Sequence, residues 1–249
     1  MMPMPSVHAN GIDLYYEIYG QGYPLIIVAG LAMDLTQLGK IVTDLSAGHK
    51  VIAFDNRGVG RTDKPDIPYS VDMMAEDTAG LLDAIGITKA DVLGISFGGK
   101  VALSLTLQHP EKVRGLILAS TSARANFRRG VLWSLSNMLQ RIPFVRGVGT
   151  NYPQPYFAYV RQRDASIGYD ATDRLQRILT PTLILHGKND RIAPYYLAEE
   201  IHAGIKGSTL IGLDGGHLFI YAREKEFAVS VEDFLRLRFA EPSTAAPRP

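Results

Sequence analysis

Asp91-Val92-Leu93-Gly94-Ile95-Ser96-Phe97-Gly98-Gly99-Lys100-Val101-Ala102-Leu103 is the stretch whose reading decides the fold. The apolar run ahead of Ser96 has the length of an interior strand, whereas Val101, Leu103, Leu105 and Leu107 lie in a helix-length segment that His109-Pro110 ends. Ser96 therefore stands on a sharp strand-to-helix corner. Such a corner presses the two backbones together on either side of the serine, and Gly94 and Gly98 carry no side chain to clash there. It leaves the hydroxyl exposed at the strand's carboxyl end, where the next helix offers unpaired N–H groups and its positive dipole end.

Working outward, residues 5 to 19 alternate as two antiparallel strands, with Asn10-Gly11 as a tight hairpin turn. Pro24 to Ala29 and Val51 to Phe54 are continuous apolar strands of the kind that helices cover on both faces. The spacing of Leu38, Ile41, Val42 and Leu45 predicts a helix over Thr36 to Leu45 between them. Met73 to Ile85 reads as a helix, Val113 to Ala119 as a strand, and Thr182 to Leu185 and Thr209 to Leu213 as the last two strands, with a helix around Tyr195 to His202. This alternation predicts an α/β fold with a doubly wound, mostly parallel sheet that binds its ligands beyond the carboxyl ends of the strands. From Ser122 to Gly168 the alternation stops. That stretch offers one amphipathic helix (Val131, Leu132, Leu135, Met138, Leu139, Ile142) and a Tyr/Pro-rich loop at 151–156. Residues 241–249, rich in Pro and Ala, are expected to be a disordered tail.

Three further motifs lie at the ends of predicted strands: Phe54-Asp55-Asn56-Arg57-Gly58-Val59-Gly60-Arg61-Thr62-Asp63, Leu183-Ile184-Leu185-His186-Gly187-Lys188-Asn189-Asp190, and Gly215-Gly216-His217. With the Ser96 corner, and in this order, they resemble the α/β-hydrolase fold superfamily, in its serine esterase or lactonase-like branch. The resemblance implies a core formed by residues 1–121 and 169–240, with 122–168 as a short cap over a shallow or partly open site.

A lone serine hydroxyl is a poor nucleophile at neutral pH and needs a base, with a third group to fix that base's tautomer. His217, after the last strand and two glycines, is the best-placed base; His186, inside a strand motif, reads instead as a hydrogen-bonded structural histidine. The resemblance makes Asp190 the orienting acid, with Asp214 as a rival nearer in sequence, and gives the order Ser96, Asp190, His217. It implies an oxyanion hole of the Phe97 and Leu31 backbone N–H groups, although Ala29-Gly30 replaces the family's common His-Gly. Leu31, Phe97 and Trp133 are candidates for an apolar acyl wall, with cap packing the alternative for Trp133. Asp55 and Arg57 are expected to brace their loop. The stretch from Ser122 to Arg163 holds seven arginines and neither Asp nor Glu, which reads either as a solvated basic face or as a source of a fork for a substrate carboxylate.

Composition narrows the classes further. With 249 residues, 46% hydrophobic and 20% charged, the chain has material for one large core, and its net charge of +1 lends nucleic-acid binding no support. Zero cysteines exclude disulfides and thiolate chemistry. No apolar run reaches membrane-spanning length and no signal peptide is legible, so a cytoplasmic protein with no metal or cofactor is expected. The oligomeric state is not legible. The expected activity is hydrolysis of a small carboxylic ester or lactone through an acyl-enzyme. Carbon–carbon bond hydrolysis, enol-lactone or acyl-homoserine lactone opening, and a slow-turnover small-molecule receptor are the alternatives.

Overall fold

The computed structural model describes residues 5–125, 138–139, 141–142 and 149–239. Eight strands form one sheet: β1 (Ser6–Ala9), β2 (Ile12–Tyr19), β3 (Pro24–Val28), β4 (Lys50–Phe54), β5 (Ala90–Ile95), β6 (Val113–Ala119), β7 (Thr182–Gly187) and β8 (Thr209–Leu213). Their spatial order is β1-β2-β4-β3-β5-β6-β7-β8, antiparallel through β1, β2 and β4 and parallel from β4 onward. Asn10 (φ 47°) and Gly11 (φ 75°) both take the left-handed conformation that the β1–β2 hairpin turn demands.

The continuous apolar strands are explained by two cores. Ile26, Val28, Ile52, Phe54 and Val92 face one, where α2 (Val71–Ala84) and α3 (Phe97–Gln108) pack, while Leu25, Ile27, Val51, Ala53 and Leu93 alternate onto the other. There α1 (Gly39–Leu45) and α7 (Glu224–Phe239) contribute Ile41, Leu45, Phe227 and Val231. Each Val, Leu, Ile or Phe side chain so buried is worth roughly 1.5–3 kcal/mol against exposure, so alternate residues of one strand stabilise opposite layers. At the amino end of β5, Asp91 is buried and takes a hydrogen bond from Arg114 Nε at 3.0 Å.

Some boundaries differ from the periodicity, each for a capping reason. The helix expected over Thr36–Leu45 is a 3₁₀ turn at Leu35–Leu38 followed by α1, because Asp34 accepts from Thr36 N at 2.9 Å and Gln37 Oε1 accepts from Asp34 N at 3.1 Å. Helix α2 begins at Val71, two residues before the expected start, because Ser70 Oγ accepts from Met73 N at 3.0 Å. Between β6 and β7, α4 (Tyr156–Gly168) is a helix that the apolar spacing did not predict. Most of the amphipathic helix expected at 131–142, and the tail at 241–249, lie outside the described residues. Helices α5 (Tyr196–Gly204) and α6 (Phe219–Ala222) complete the described elements. No helix among the described residues is long and apolar enough to cross a membrane.

Candidate active site

Ser96 has φ 53° and ψ −115°, a left-handed conformation that costs a non-glycine residue about 1–3 kcal/mol unless its surroundings enforce it. They do so at three points. Ser96 N–H donates to Ala119 O at 2.8 Å, and Ser96 O accepts from Gly99 N at 3.0 Å and from Thr121 Oγ at 2.6 Å. The expected backbone crowding is present: a Cβ on Gly98 would lie 2.0 Å from Val28 O, and one on Gly94 2.6 Å from Gly98 O.

The histidine and acid loops are joined by their backbones before their side chains meet. Asn189 N–H donates to Gly215 O and Lys188 N–H to Leu213 O, each at 2.9 Å. Asp190 is buried; its Oδ1 accepts from Ile192 N at 2.8 Å and Ala193 N at 2.9 Å, and its Oδ2 accepts from His217 Nδ1 at 2.7 Å. A carboxylate can only accept, so the Nδ1 of His217 carries the proton and its Nε2 is left as an acceptor. Ser96 Oγ lies 2.8 Å from that Nε2. Burial alone raises the Asp190 pKa, but hydrogen bonds from His186 and His217, the charge His217 carries once protonated and the Ala193 N–H outweigh it and hold the carboxyl well below the usual range. The acid therefore stays ionised beside its histidine.

The remaining candidates fall as follows. Asp214, the rival acid, has a side chain 73% exposed and lies 3.7 Å from Lys188 Nζ. His186 is fully buried and donates through Nε2 to Ala193 O at 2.7 Å, which braces the turn that carries Asp190. Asp55 accepts from Leu35 N and Arg61 N, each at 2.8 Å, and burial raises its pKa. Arg57 forms a buried fork with Asp77 at 2.7 and 2.5 Å, so both residues brace loops around the site. Gly30 runs beside the serine, since a Cβ there would lie 3.5 Å from Ser96 Cβ. Among the described residues no hydrogen bond engages the Leu31 or Phe97 backbone N–H. The Phe97 side chain is buried in the same apolar cluster on which Leu31 packs. Trp133 lies outside the described residues, as do Arg128, Arg129 and Arg146. Of the other arginines, Arg124 pairs with Glu200 at 3.0 Å, Arg161 with Asp66 at 3.0 Å and Arg163 with Asp164 at 2.6 Å, while Arg141 donates to Tyr156 OH at 3.3 Å.

Three residues near these loops were not among the predicted site residues. Ser120, at the tip of β6, donates through Oγ to His217 O at 2.8 Å and so holds the histidine loop. Ile192 and Leu218, 63% and 62% exposed, place apolar side chains next in sequence to the acid loop and the histidine. Only the spacing to Asp190 and His217 could have pointed to them. Among the described residues, no group of three or more His, Cys, Asp or Glu could hold a metal ion.

A family model described as the alpha/beta hydrolase fold matches residues 23–149. The chain belongs to the alpha/beta hydrolase family. This hydrolase is 30% identical over 247 residues to a protein of Azorhizobium caulinodans named "Putative carbamate hydrolase RutD", covering 87% of this chain and 92% of that protein. It is 27% identical over 262 residues to the 2-hydroxymuconate semialdehyde hydrolase of Pseudomonas sp. (strain CF600), covering 92% of this chain and 93% of that protein. The crystal structure of the enol-lactonase from Burkholderia xenovorans LB400 is similar to it with a TM-score of 0.79 and 26% identity, over 93% of this chain and 99% of that one.

Proposed function

We propose that this alpha/beta hydrolase cleaves a small carboxylic ester or lactone through an acyl-enzyme on Ser96. The observation that carries the reading is the unbroken hydrogen-bond chain from Ser96 Oγ to His217 Nε2 at 2.8 Å and from His217 Nδ1 to Asp190 at 2.7 Å. Ser96 Oγ attacks the carbonyl carbon while its proton passes to Nε2. The tetrahedral oxyanion is met by the Phe97 and Leu31 N–H groups, which have no other partner among the described residues. The ionised Asp190 stabilises the imidazolium so formed. Collapse expels the alcohol, which takes the proton from His217, and a water activated by the same imidazole then releases the acid and frees Ser96. Leu31 and Phe97 wall the acyl group, and the exposed Ile192 and Leu218 offer an apolar rim.

The name of the Azorhizobium caulinodans relative favours a second reading, in which the same serine acts on the carbonyl of a carbamate. Triad residues do not report the leaving group. The test is hydrolysis of a p-nitrophenyl ester series of rising acyl length, with matching carbamates, by the wild type and by Ser96→Ala. The wild type is expected to turn over repeatedly on esters, and Ser96→Ala to lose at least about 10³-fold in kcat/KM. Equal rates in both proteins would remove the serine mechanism. Preference for the carbamates would select the second reading, and one event per chain followed by a stall would select a receptor.

A further inference from the structure

Gln162, on α4, is fully buried and joins two loops that are far apart in sequence. Its Oε1 accepts from Ala32 N–H at 3.1 Å, and its Nε2 donates to Arg57 O at 2.8 Å. Both partners are backbone groups of fixed polarity, so the amide can sit only one way round. On the loop it grips, Met33 N–H donates to Gly30 O at 3.2 Å, closing a turn with Leu31 and Ala32 at its centre. Ala32 has φ 61°, and Leu31 is not among the residues of positive φ. That combination is a type II turn, which favours glycine where this chain has alanine. The competing type I turn would turn the Leu31–Ala32 peptide over. Ala32 N–H would then leave the Gln162 acceptor, and the peptide dipole beside the Leu31 N–H would reverse.

We propose that Gln162 is a positioning residue for the oxyanion hole: anchored on the Arg57 carbonyl, it holds the Leu31–Ala32 peptide in the orientation that sets the dipole beside the Leu31 N–H, the donor to the reacting carbonyl. This rests on the ester-hydrolase reading above, in which Ser96 is the nucleophile and Leu31 an oxyanion donor. Asn56 Nδ2 supports the same loop from behind, donating to Ala29 O at 3.1 Å. Gln162 therefore couples the α4 helix to the geometry of the reaction without touching substrate.

The test is the second-order rate of labelling by a fluorophosphonate. Ser96 Oγ bonds to phosphorus, the P–F bond breaks, fluoride leaves, the proton passes to His217, and the phosphoryl oxygen fills the oxyanion site. Wild type, Ser96→Ala, Gln162→Met and Gln162→Met/Ala32→Gly are compared, with thermal melting of each. Gln162→Met is expected to label about tenfold more slowly and to lose a similar factor in kcat on p-nitrophenyl esters, with KM within about twofold of wild type. Ala32→Gly in that background is expected to restore most of the rate, because glycine adopts the turn without help. Wild-type labelling by Gln162→Met, or slow labelling that Ala32→Gly leaves unchanged, would overturn the proposal and reduce Gln162 to packing. Labelling of Ser96→Ala at the wild-type rate would instead sink the nucleophile assignment beneath it. Should Gln162→Met not fold, Gln162→Asn withdraws the amide by one methylene and is expected to show the same slowing and the same rescue; wild-type labelling by it would be equally fatal.

Discussion

The β5–α3 corner and helix α4 both shape the surroundings of Ser96, yet they are written in the chain in different ways. At the corner the demands are local. Backbones that would place a Cβ 2.0 Å from Val28 O select glycine at position 98, and the reversal falls within a few residues of the serine. Along α4 the buried residues are Ala158, Tyr159, Gln162 and Ala165, and the hydrogen-bond partners of Gln162 lie 130 and 105 positions away, at Ala32 and Arg57. Close backbone approach fixes residue type on the spot. A docked helix takes its meaning from what it docks against.

The largest expected effect belongs to the acid loop. Asp190→Asn should fold but lose about 10⁴-fold in kcat/KM, or about 5.5 kcal/mol of transition-state stabilisation, because the histidine tautomer is no longer enforced. Its stability should also reveal the carboxylate. The folded pKa of Asp190 lies below the unfolded value, so its ionised form stabilises the fold above the unfolded pKa, and that contribution is lost as pH falls through the folded one. The gap in Tm between wild type and Asp190→Asn should therefore narrow as pH drops below about 4. A gap that widens toward acid would contradict the direction of the shift.

A smaller effect is expected at the corner. Gly98→Ala forces a methyl against the Val28 and Ala29 carbonyls and should cost about 1–3 kcal/mol, read as a Tm lower by several degrees. An unchanged Tm would mean that the corner is looser than its geometry and would erase the contrast with α4. Smallest is Gln162→Met, whose tenfold slowing corresponds to about 1.4 kcal/mol. If it exceeded the Asp190→Asn loss, α4 and not the corner would be the dominant support of the site.

Much of this architecture is legible in the residues. The strands are read from runs such as Leu25 to Val28, whose two faces fill separate cores, and the hairpin from Asn10-Gly11. His217 lies within hydrogen-bond reach of both Ser96 and Asp190, although the three motifs stand far apart in the chain. Helix α4 was not legible because its buried face, Ala158, Tyr159, Gln162 and Ala165, carries no long aliphatic side chain, so no apolar period marks it. Its one sequence cue is Ala158 and Ala165 flanking Gln162 at helical spacing, which leaves room for close approach to a core. Ser120 was not legible as a site residue. Its grip on the His217 carbonyl spans 97 positions and depends on a strand register that sequence periodicity does not supply.

The measurement that tests the central claim most directly is mass spectrometry of the protein quenched in acid during turnover of p-nitrophenyl acetate. An acetyl group on the peptide that carries Ser96, absent in Ser96→Ala, is the predicted result. Steady turnover with no adduct, or an adduct on another residue, would contradict the acyl-enzyme on Ser96.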